Sequence, residues 1–304
     1  MNDSVESISQ KRVKYMLEFI DSQLAHWPLA RDNYQALGRS ERRSIQLGDL
    51  TVGIQHNPAR IVSTAAKTDA KSIAERPCFL CSKNRPPLQV GIEITEGWEL
   101  LLNPYPIFPT HFTIVCKTHA PQEGFPLDMV CMSEKLPGHT VFFNGKHAGA
   151  SCPDHLHCQA VKTHELPLMR LIENKHTLKY GRKATPDTLC LDTPFAFVSL
   201  IITPDLEGMS ELAGIESTIG TEYIKHGRFN AFVWIDSGGL LRICIVRRAA
   251  HRPSCYGSEV GQHLISPGCI DMAGVLITPL KKDYDTLTEE EVRSIYKECS
   301  VKLF

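Results

Sequence analysis

No stretch of the 304 residues approaches the roughly 20 consecutive apolar residues that a membrane-spanning helix needs. The longest candidate, residues 195–203, has the length of a strand and is interrupted by Ser199. The opening MNDSVESISQKRVKYM sets acids before bases and has no apolar core of a secretory leader, so a cytoplasmic location without membrane attachment is expected. Net charge is nearly absent as well. The 33 Lys and Arg stand against 34 Asp and Glu, so no long-range field gathers polyanions, and any phosphate-binding charge must be local. Aromatic residues are not interleaved with basic ones, which removes the usual signature of nucleic-acid binding. There is no short-period repeat, which excludes solenoids and propellers.

What is present is a globular composition, with 42% hydrophobic and 22% charged residues, enough to bury one large core or two smaller ones. The eleven cysteines are scattered. Most stand singly in apolar runs such as Ile114-Val115-Cys116 and Arg242-Ile243-Cys244-Ile245, and in a reducing compartment they read as small core hydrophobes. Only Cys78 and Cys81 have the two-residue spacer that lets both thiolates reach one tetrahedral metal, which by itself is half a zinc site. A redox role for the pair is disfavoured, because no thioredoxin-like βαβ pattern comes after it.

Val5, Ile8, Val13, Met16, Leu17, Ile20 and Leu24 recur at helical spacing and predict an amphipathic helix over residues 4–25, ended by Trp27-Pro28 and serving packing. Residues 50–63 read as a strand broken near Asn57-Pro58, with a polar connector over 64–77. Strands are expected at 98–102, 111–116, 140–143 and 155–161, with a proline turn at Asn103-Pro104-Tyr105-Pro106. Further strands are expected at 195–202, 231–235 and 241–246, the last two joined by the hairpin signal Ser237-Gly238-Gly239. Residues 252–262 read as a loop. Thr288-Glu289-Glu290-Glu291 before Val292, Ile295 and Tyr296 is a capping box that opens a terminal helix. The pattern is α+β, with two halves dividing near residues 165–190. The expected boundaries are a helical segment over 1–49, a first half over 50–165 and a second over 166–304.

The chemistry concentrates in Asp154-His155-Leu156-His157-Cys158-Gln159-Ala160-Val161. On a strand, alternation sends His155, His157 and Gln159 to one face and Leu156, Cys158 and Ala160 to the other, so two imidazoles and an amide stand in a row on the polar side. Just before lies Asn144-Gly145-Lys146-His147-Ala148-Gly149-Ala150-Ser151-Cys152-Pro153. Its small residues let backbone N–H groups approach phosphate oxygens, with Asn144, Lys146 and Ser151 as side-chain donors. The bland alternative is a surface strand with incidental histidines.

The stretch from Phe143-Asn144 to His155-Leu156-His157-Cys158-Gln159-Ala160 resembles the active-site segment of the galactose-1-phosphate uridylyltransferase branch of the histidine-triad superfamily, most closely the GDP-L-galactose (GDP-hexose) phosphorylases, whose motif is His-Leu-His-aromatic-Gln-Ala. Gln55-His56-Asn57-Pro58-Ala59-Arg60 is similar to that family's Gln-x-Asn-x-x-Arg strand, and the run from Asn103 to Gln122 to its proline-containing strand entry. Asp271-Met272-Ala273-Gly274-Val275 resembles its closing strand, and Lys282-Asp283-Tyr284 the Lys-x-Asp-aromatic run beyond that strand. The resemblance covers roughly residues 50–165 and 225–300.

The resemblance implies two histidine-triad-like halves, each an antiparallel sheet with packed helices, of which only the first bears a nucleophile. It implies a nucleotidyltransferase in which His157 attacks the α-phosphorus of a GDP-hexose, expels the sugar 1-phosphate and is relieved of its nucleotide by inorganic phosphate. Gln159 and Ser151 would hold the non-bridging oxygens, while Arg60 and Asn57 would join the substrate site. It also implies a zinc set of Cys78, Cys81, His119 and His155, and pairing into a homodimer. The cysteine pair matches the uridylyltransferases rather than the GDP-hexose phosphorylases, so the sequence mixes features of both. Dinucleoside-tetraphosphate phosphorolysis and hexose-1-phosphate nucleotidyl transfer share the same nucleophile and remain open, as does a non-catalytic nucleotide-binding scaffold, against which the intact His157 and Gln159 argue.

Weaker claims stand apart. His111 reads as structural, Arg85 as a solvated cation, and His56, His147 and His164 as surface histidines. Arg247-Arg248 with His251-Arg252 either flanks the nucleotide or faces water.

Overall fold

The computed structural model describes residues 7–65, 69–174, 181–185, 188–192, 197–203, 215–216 and 219–301. Ser7 opens the first helix, Ile8–His26, with a reciprocal capping box. Its hydroxyl accepts the Gln10 N–H at 3.2 Å, and the Gln10 side chain accepts the Ser7 N–H at 2.8 Å. Trp27 ends it, and Pro28, whose missing N–H costs nothing at a helix start, begins the next helix, Pro28–Gly38. The expected helix therefore forms with its apolar stripe inward through Met16, Phe19 and Ile20, while Val5 lies outside the described residues.

The strands run in chain order as β1 Glu41–Leu47, β2 Leu50–His56, β3 Gly91–Thr95, β4 Trp98–Leu102, β5 His111–Cys116, β6 His139–Asn144 and β7 His157–Lys162. Then come β8 Gly181–Thr185, β9 Thr188–Asp192, β10 Phe197–Thr203, β11 Phe229–Ile235, β12 Leu241–Arg247 and β13 Val275–Thr278. Three of the expected strands lie within a residue or two of their predicted bounds for a physical reason. Trp98–Leu102 is bounded by turn residues, and the β11–β12 hairpin is closed by Asp236, whose carboxylate accepts the Gly238 and Leu240 N–H groups. Of the strand expected over 195–202, residues 195 and 196 lie outside the described residues. β1 falls inside the segment expected to be helical, whose helices end at Gly38.

Ten strands form one antiparallel sheet in the order β3-β4-β5-β7-β6-β11-β12-β10-β9-β8. Outward from the β6–β11 seam the order is 6-7-5-4-3 on one side and 11-12-10-9-8 on the other, the same arrangement twice. Even the irregularity repeats, between Glu93 and Thr95 in the β3–β4 ladder and between Lys183 and Thr185 in the β8–β9 ladder. The two α+β halves are thus one structural unit used twice, fused edge to edge into a continuous sheet.

Both faces are covered. On one, Phe112, Ile114, Phe143, Cys158 and Ala160 pack against the N-terminal helices and the helix Asp128–Lys135. On the other, Phe142, Val161, Phe232, Trp234 and Val246 pack under the small sheet β1-β2-β13 and the helices Pro167–Glu173, Cys269–Met272 and Glu289–Cys299. The terminal helix carries the predicted Thr288–Glu291 capping box.

Arg248 ties the second half to the rest. Fully buried, it donates to six oxygens: the carbonyls of Cys299, Ala148, Pro267, Ala250 and His251 and the Asn230 Oδ1, at 2.8 to 3.3 Å. Arg248→Ala would orphan buried acceptors worth ~1–3 kcal/mol each. A loss of about 3 kcal/mol or more in unfolding free energy is expected, read as a lower denaturant midpoint at unchanged slope.

Candidate active site

β7 lies between β5 and β6, with Val115 opposite His157 and both Thr113 and Phe142 opposite Gln159. This is the face beneath the small sheet, so His157 is buried, only 4% exposed, rather than on the open polar side that alternation suggested. The strand begins at His157 itself. His155 sits in the turn before it, its N–H bonded to the Cys152 carbonyl at 3.2 Å, and its ring does not share a row with the other two side chains.

His157 Nδ1 lies 2.7 Å from the His155 carbonyl. A carbonyl only accepts, so Nδ1 carries the proton and Nε2 carries the lone pair. Burial lowers the pKa of the ring to about 4, with the His155 carbonyl opposing, so at neutral pH it is an uncharged imidazole. Gln159 is oriented by a similar chain of logic. The Ile107 N–H donates to His111 Nδ1 at 3.1 Å, which leaves His111 Nε2–H to donate to Gln159 Oε1 at 2.9 Å. With its oxygen so engaged, Gln159 presents its amide N–H groups on the other side. His111, which the sequence marks only as structural, therefore sets the orientation of Gln159; it is fully buried, and desolvation holds its pKa at about 3, with the Arg60 charge adding to the effect.

Both side chains line a cavity of about 390 Å³. Its lining includes the polar Asn144, Ser151, His251 and Arg252 and the larger Trp27, Leu29, Phe79 and Tyr105. The loop after β6 is pressed on the second half at its glycines: a Cβ on Gly149 (φ 95°) would stand 2.5 Å from the Gly268 Cα. Beyond it, no described residue accepts from the backbone N–H groups of Ala150, Ser151 and Cys152, three donors in a row beside the cavity.

The other expected residues divide. Asn144 lines the cavity, its Oδ1 accepting from Asn230 Nδ2 and the Cys269 N–H at 3.0 and 2.7 Å. Arg60 lines it too, donating to the Tyr105 carbonyl at 2.7 Å, with a pKa that burial pulls down to about 10 against the opposing charge of Asp271. Asn57 is buried away from it, donating to the Pro106 carbonyl at 3.0 Å. Lys146 is not in the lining, because its side chain points outward to Glu123, 3.8 Å away. Arg85 is no solvated cation: its side chain is buried against Glu99 at 2.5 Å. Trp27, read as packing, and His251 and Arg252, left between two readings, all reach the cavity. Only their place in the fold reveals this, since Trp27 is distant in sequence from every motif.

Cys78, Cys81, His119 and His155 converge. The Cys78 Sγ to His155 Nδ1, Cys81 Sγ to His119 Nδ1 and Cys81 Sγ to His155 Nδ1 distances are 3.2, 3.3 and 3.6 Å, and the two Nδ1 atoms are 3.3 Å apart. Tetrahedral bonds of ordinary Zn–N and Zn–S length would give edges of about 3.3 to 3.6 Å. His155 Nε2 donates to the Cys116 carbonyl at 2.8 Å, which leaves Nδ1 as the ligand atom. The four form a Cys/His cluster suited to a metal. A neighbouring trio, Cys78, Cys152 and Asp154, fits less well, since Arg76 takes Asp154 at 2.6 Å and burial pushes the Cys152 thiol pKa far up.

The model of a domain of unknown function, DUF4922, matches residues 19–162, which contain the whole His157 segment. No curated protein matches the chain in sequence. Among solved structures, yeast Ap4A phosphorylase Apa2 is similar at a TM-score of 0.58 and 16% identity, covering 90% of this chain and 96% of that one. The same enzyme with AMP gives 0.56 at 18% identity, and with Ap4A 0.55 at 15%, at the same coverage. The chain therefore shares the fold of that enzyme. Within it, the same five-strand order stands twice in tandem.

Burial also fixes a pH dependence of stability. His111 at about 3, and His139 and His251 at about 4, lie below the ordinary histidine value of 6.5. Between those limits the unfolded chain binds more protons than the folded one, so stability rises with pH through that window and levels off above it. Unfolding free energies measured from pH 4 to 8 should show this slope; a flat profile would contradict the neutral, buried rings.

Proposed function

We propose that the chain is a nucleotidyltransferase that works through a covalent adduct on His157 and carries out phosphorolysis of a nucleoside-diphosphate-linked substrate. The observation that supports this most is the state of His157, an uncharged ring whose Nδ1–H is tied to a carbonyl, so that Nε2 is the nitrogen left to react beside the cavity. The Nε2 lone pair bonds to the α-phosphorus. The bond from that phosphorus to the bridging oxygen breaks, and the leaving group departs with the electron pair as a phosphate ester. The ring is then cationic, and the Nδ1–H bond to His155 strengthens as it charges. Inorganic phosphate next attacks the same phosphorus, the P–N bond breaks, the pair returns to Nε2 and a nucleoside diphosphate leaves. The Gln159 amide and the N–H groups of Ala150, Ser151 and Cys152 are donors for the non-bridging oxygens, where charge accumulates.

A GDP-hexose is the substrate that the His155-Leu156-His157-Cys158-Gln159-Ala160 motif favours. A second reading, a dinucleoside polyphosphate, has its own support. The cavity lining offers Trp27, Phe79 and Tyr105 as stacking surfaces, and Asp271 is the sole carboxylate among the described lining residues to engage sugar hydroxyls.

Zinc is the metal that Cys78, Cys81, His119 and His155 would hold. Four protein ligands leave no open position, so its contribution is structural: it fixes the turn that carries the His155 carbonyl.

The protein incubated with GDP-hexoses, UDP-hexoses and diadenosine tetraphosphate should gain the mass of one nucleotidyl group, a nucleoside monophosphate less one water, and His157→Ala should not; products formed on adding phosphate separate the substrates. Absence of any adduct across the panel would defeat the reading. Metal analysis should find one zinc per chain, lost in Cys78→Ser, and a metal-free wild-type protein would count against that assignment.

A further inference from the structure

The ladder between β6 and β7 stops early. Its last pair is Phe142 with Gln159, and the same register continued two residues would set Asn144 opposite His157, where β6 runs out into the glycine loop. The side chain of Gln122 stands there instead. Its Nε2 donates to the carbonyls of Asn144 and His157, both at 2.9 Å, and its Oε1 accepts the His157 N–H at 2.8 Å. Gln122 is fully buried, and its own N–H is anchored on the Pro153 carbonyl at 3.0 Å.

The chemistry of this contact is that of a peptide group carried on a side chain. β6 and β7 must diverge for the intervening loop to frame the cavity, and divergence would strand the N–H and C=O of His157 in the interior. An unpartnered buried polar group is costly, which is why such groups are nearly always paired. A carboxamide on a two-methylene arm supplies one acceptor and two donors, which is what the three main-chain groups require. Glu lacks the donors when ionised, and Asn has a shorter arm. Gln122 does not line the cavity, so no ligand there touches it.

We propose that Gln122 is a positioning residue of nucleotidyl transfer: its amide holds β6 and β7 apart and fixes the main chain of His157, so that the imidazole stands at attack distance from a bound phosphate. This rests on His157 being the nucleophile. Attack requires the reacting atoms within roughly 3–3.5 Å, and a misplacement of about 1 Å can cost on the order of a hundredfold in rate.

The test is Gln122→Met, similar in length and volume but unable to make the three bonds. Single-turnover adduct formation should slow roughly 10- to 100-fold, while half-saturation by substrate stays within about twofold of wild type, since no ligand contact is lost. A second measurement needs no substrate. In ¹⁵N-histidine-labelled wild-type protein the His157 ring should show a protonated Nδ1, and in the variant it should move toward an average of the two tautomers. An adduct rate within twofold of wild type overturns the inference, and so does an unchanged His157 spectrum. Should Gln122→Met fail to fold, Gln122→Glu, which keeps the acceptor for the His157 N–H, is judged by the same criteria. If wild-type protein forms no adduct with any substrate, the nucleophile reading fails, and the spectrum alone decides whether Gln122 sets the ring.

Discussion

The carbonyl of His155 decides which nitrogen of His157 carries the proton. By accepting from Nδ1 it leaves Nε2 with the lone pair, and the remaining features of the site serve either to hold that carbonyl in place or to shape what Nε2 faces. Two groups hold the residue that carries it. The Cys116 carbonyl takes one nitrogen of the His155 ring, and the Cys78, Cys81 and His119 donors crowd the other. The Cys/His cluster thus acts on His157 through two residues of main chain without lining the cavity itself, in the way that partners behind a ligand commonly tune a site.

The electrostatics obey the same economy of charge. A chain whose cations and anions nearly cancel gathers Arg60 and Arg252 on one cavity and sets Arg248 behind it, with Asp271 as their counterweight; burial raises the pKa of that carboxyl to about 6. The histidines around it contribute no charge at neutral pH, because desolvation holds His111, His157 and His251 far below their ordinary values. What the cavity presents is therefore two guanidinium groups and a set of fixed dipoles, the Gln159 amide and the loop N–H groups. Dipoles held in advance stabilise developing charge without the reorganisation that water would need.

The sequence exposes this site unevenly, and the unevenness has physical causes. Alternation around His157 correctly sends Cys158 and Ala160 into the core against the N-terminal helices. It misplaces His155, because a two-residue period holds only while the chain is a strand, and here the strand starts two residues later. The CxxC spacing marks Cys78 and Cys81 locally, whereas His119 and His155 join them through tertiary folding. Lys146 carries the right charge in the right loop yet faces Glu123, since a local pattern says nothing about which way a loop turns. His111 acts through one hydrogen bond to Gln159, 48 positions away, and Gln122 through three to Asn144 and His157, 22 and 35 positions away, an arrangement without any sequence period. Trp27 is legible as a helix-ending core residue and only the fold makes it a cavity wall.

The repetition of strand order makes the asymmetry of the two halves informative. β12 occupies in the second half the place that β7 holds in the first, between the seam strand and its third neighbour. It reads Leu241-Arg242-Ile243-Cys244-Ile245-Val246-Arg247, with no histidine, and the four residues from Ile243 to Val246 are buried in core. A nucleophile needs a void beside it, and here hydrophobic packing has filled the equivalent space on both faces. The second half is instead a wall. Asn230 reaches across the seam to Asn144, Arg248 gathers the carbonyls behind that contact, and His251, Arg252 and Ser266 line the cavity. Fusing the two units into one sheet lets the second copy brace the one that carries His157. The precision that a buried imidazole requires then comes from the continuous sheet and not from a loop.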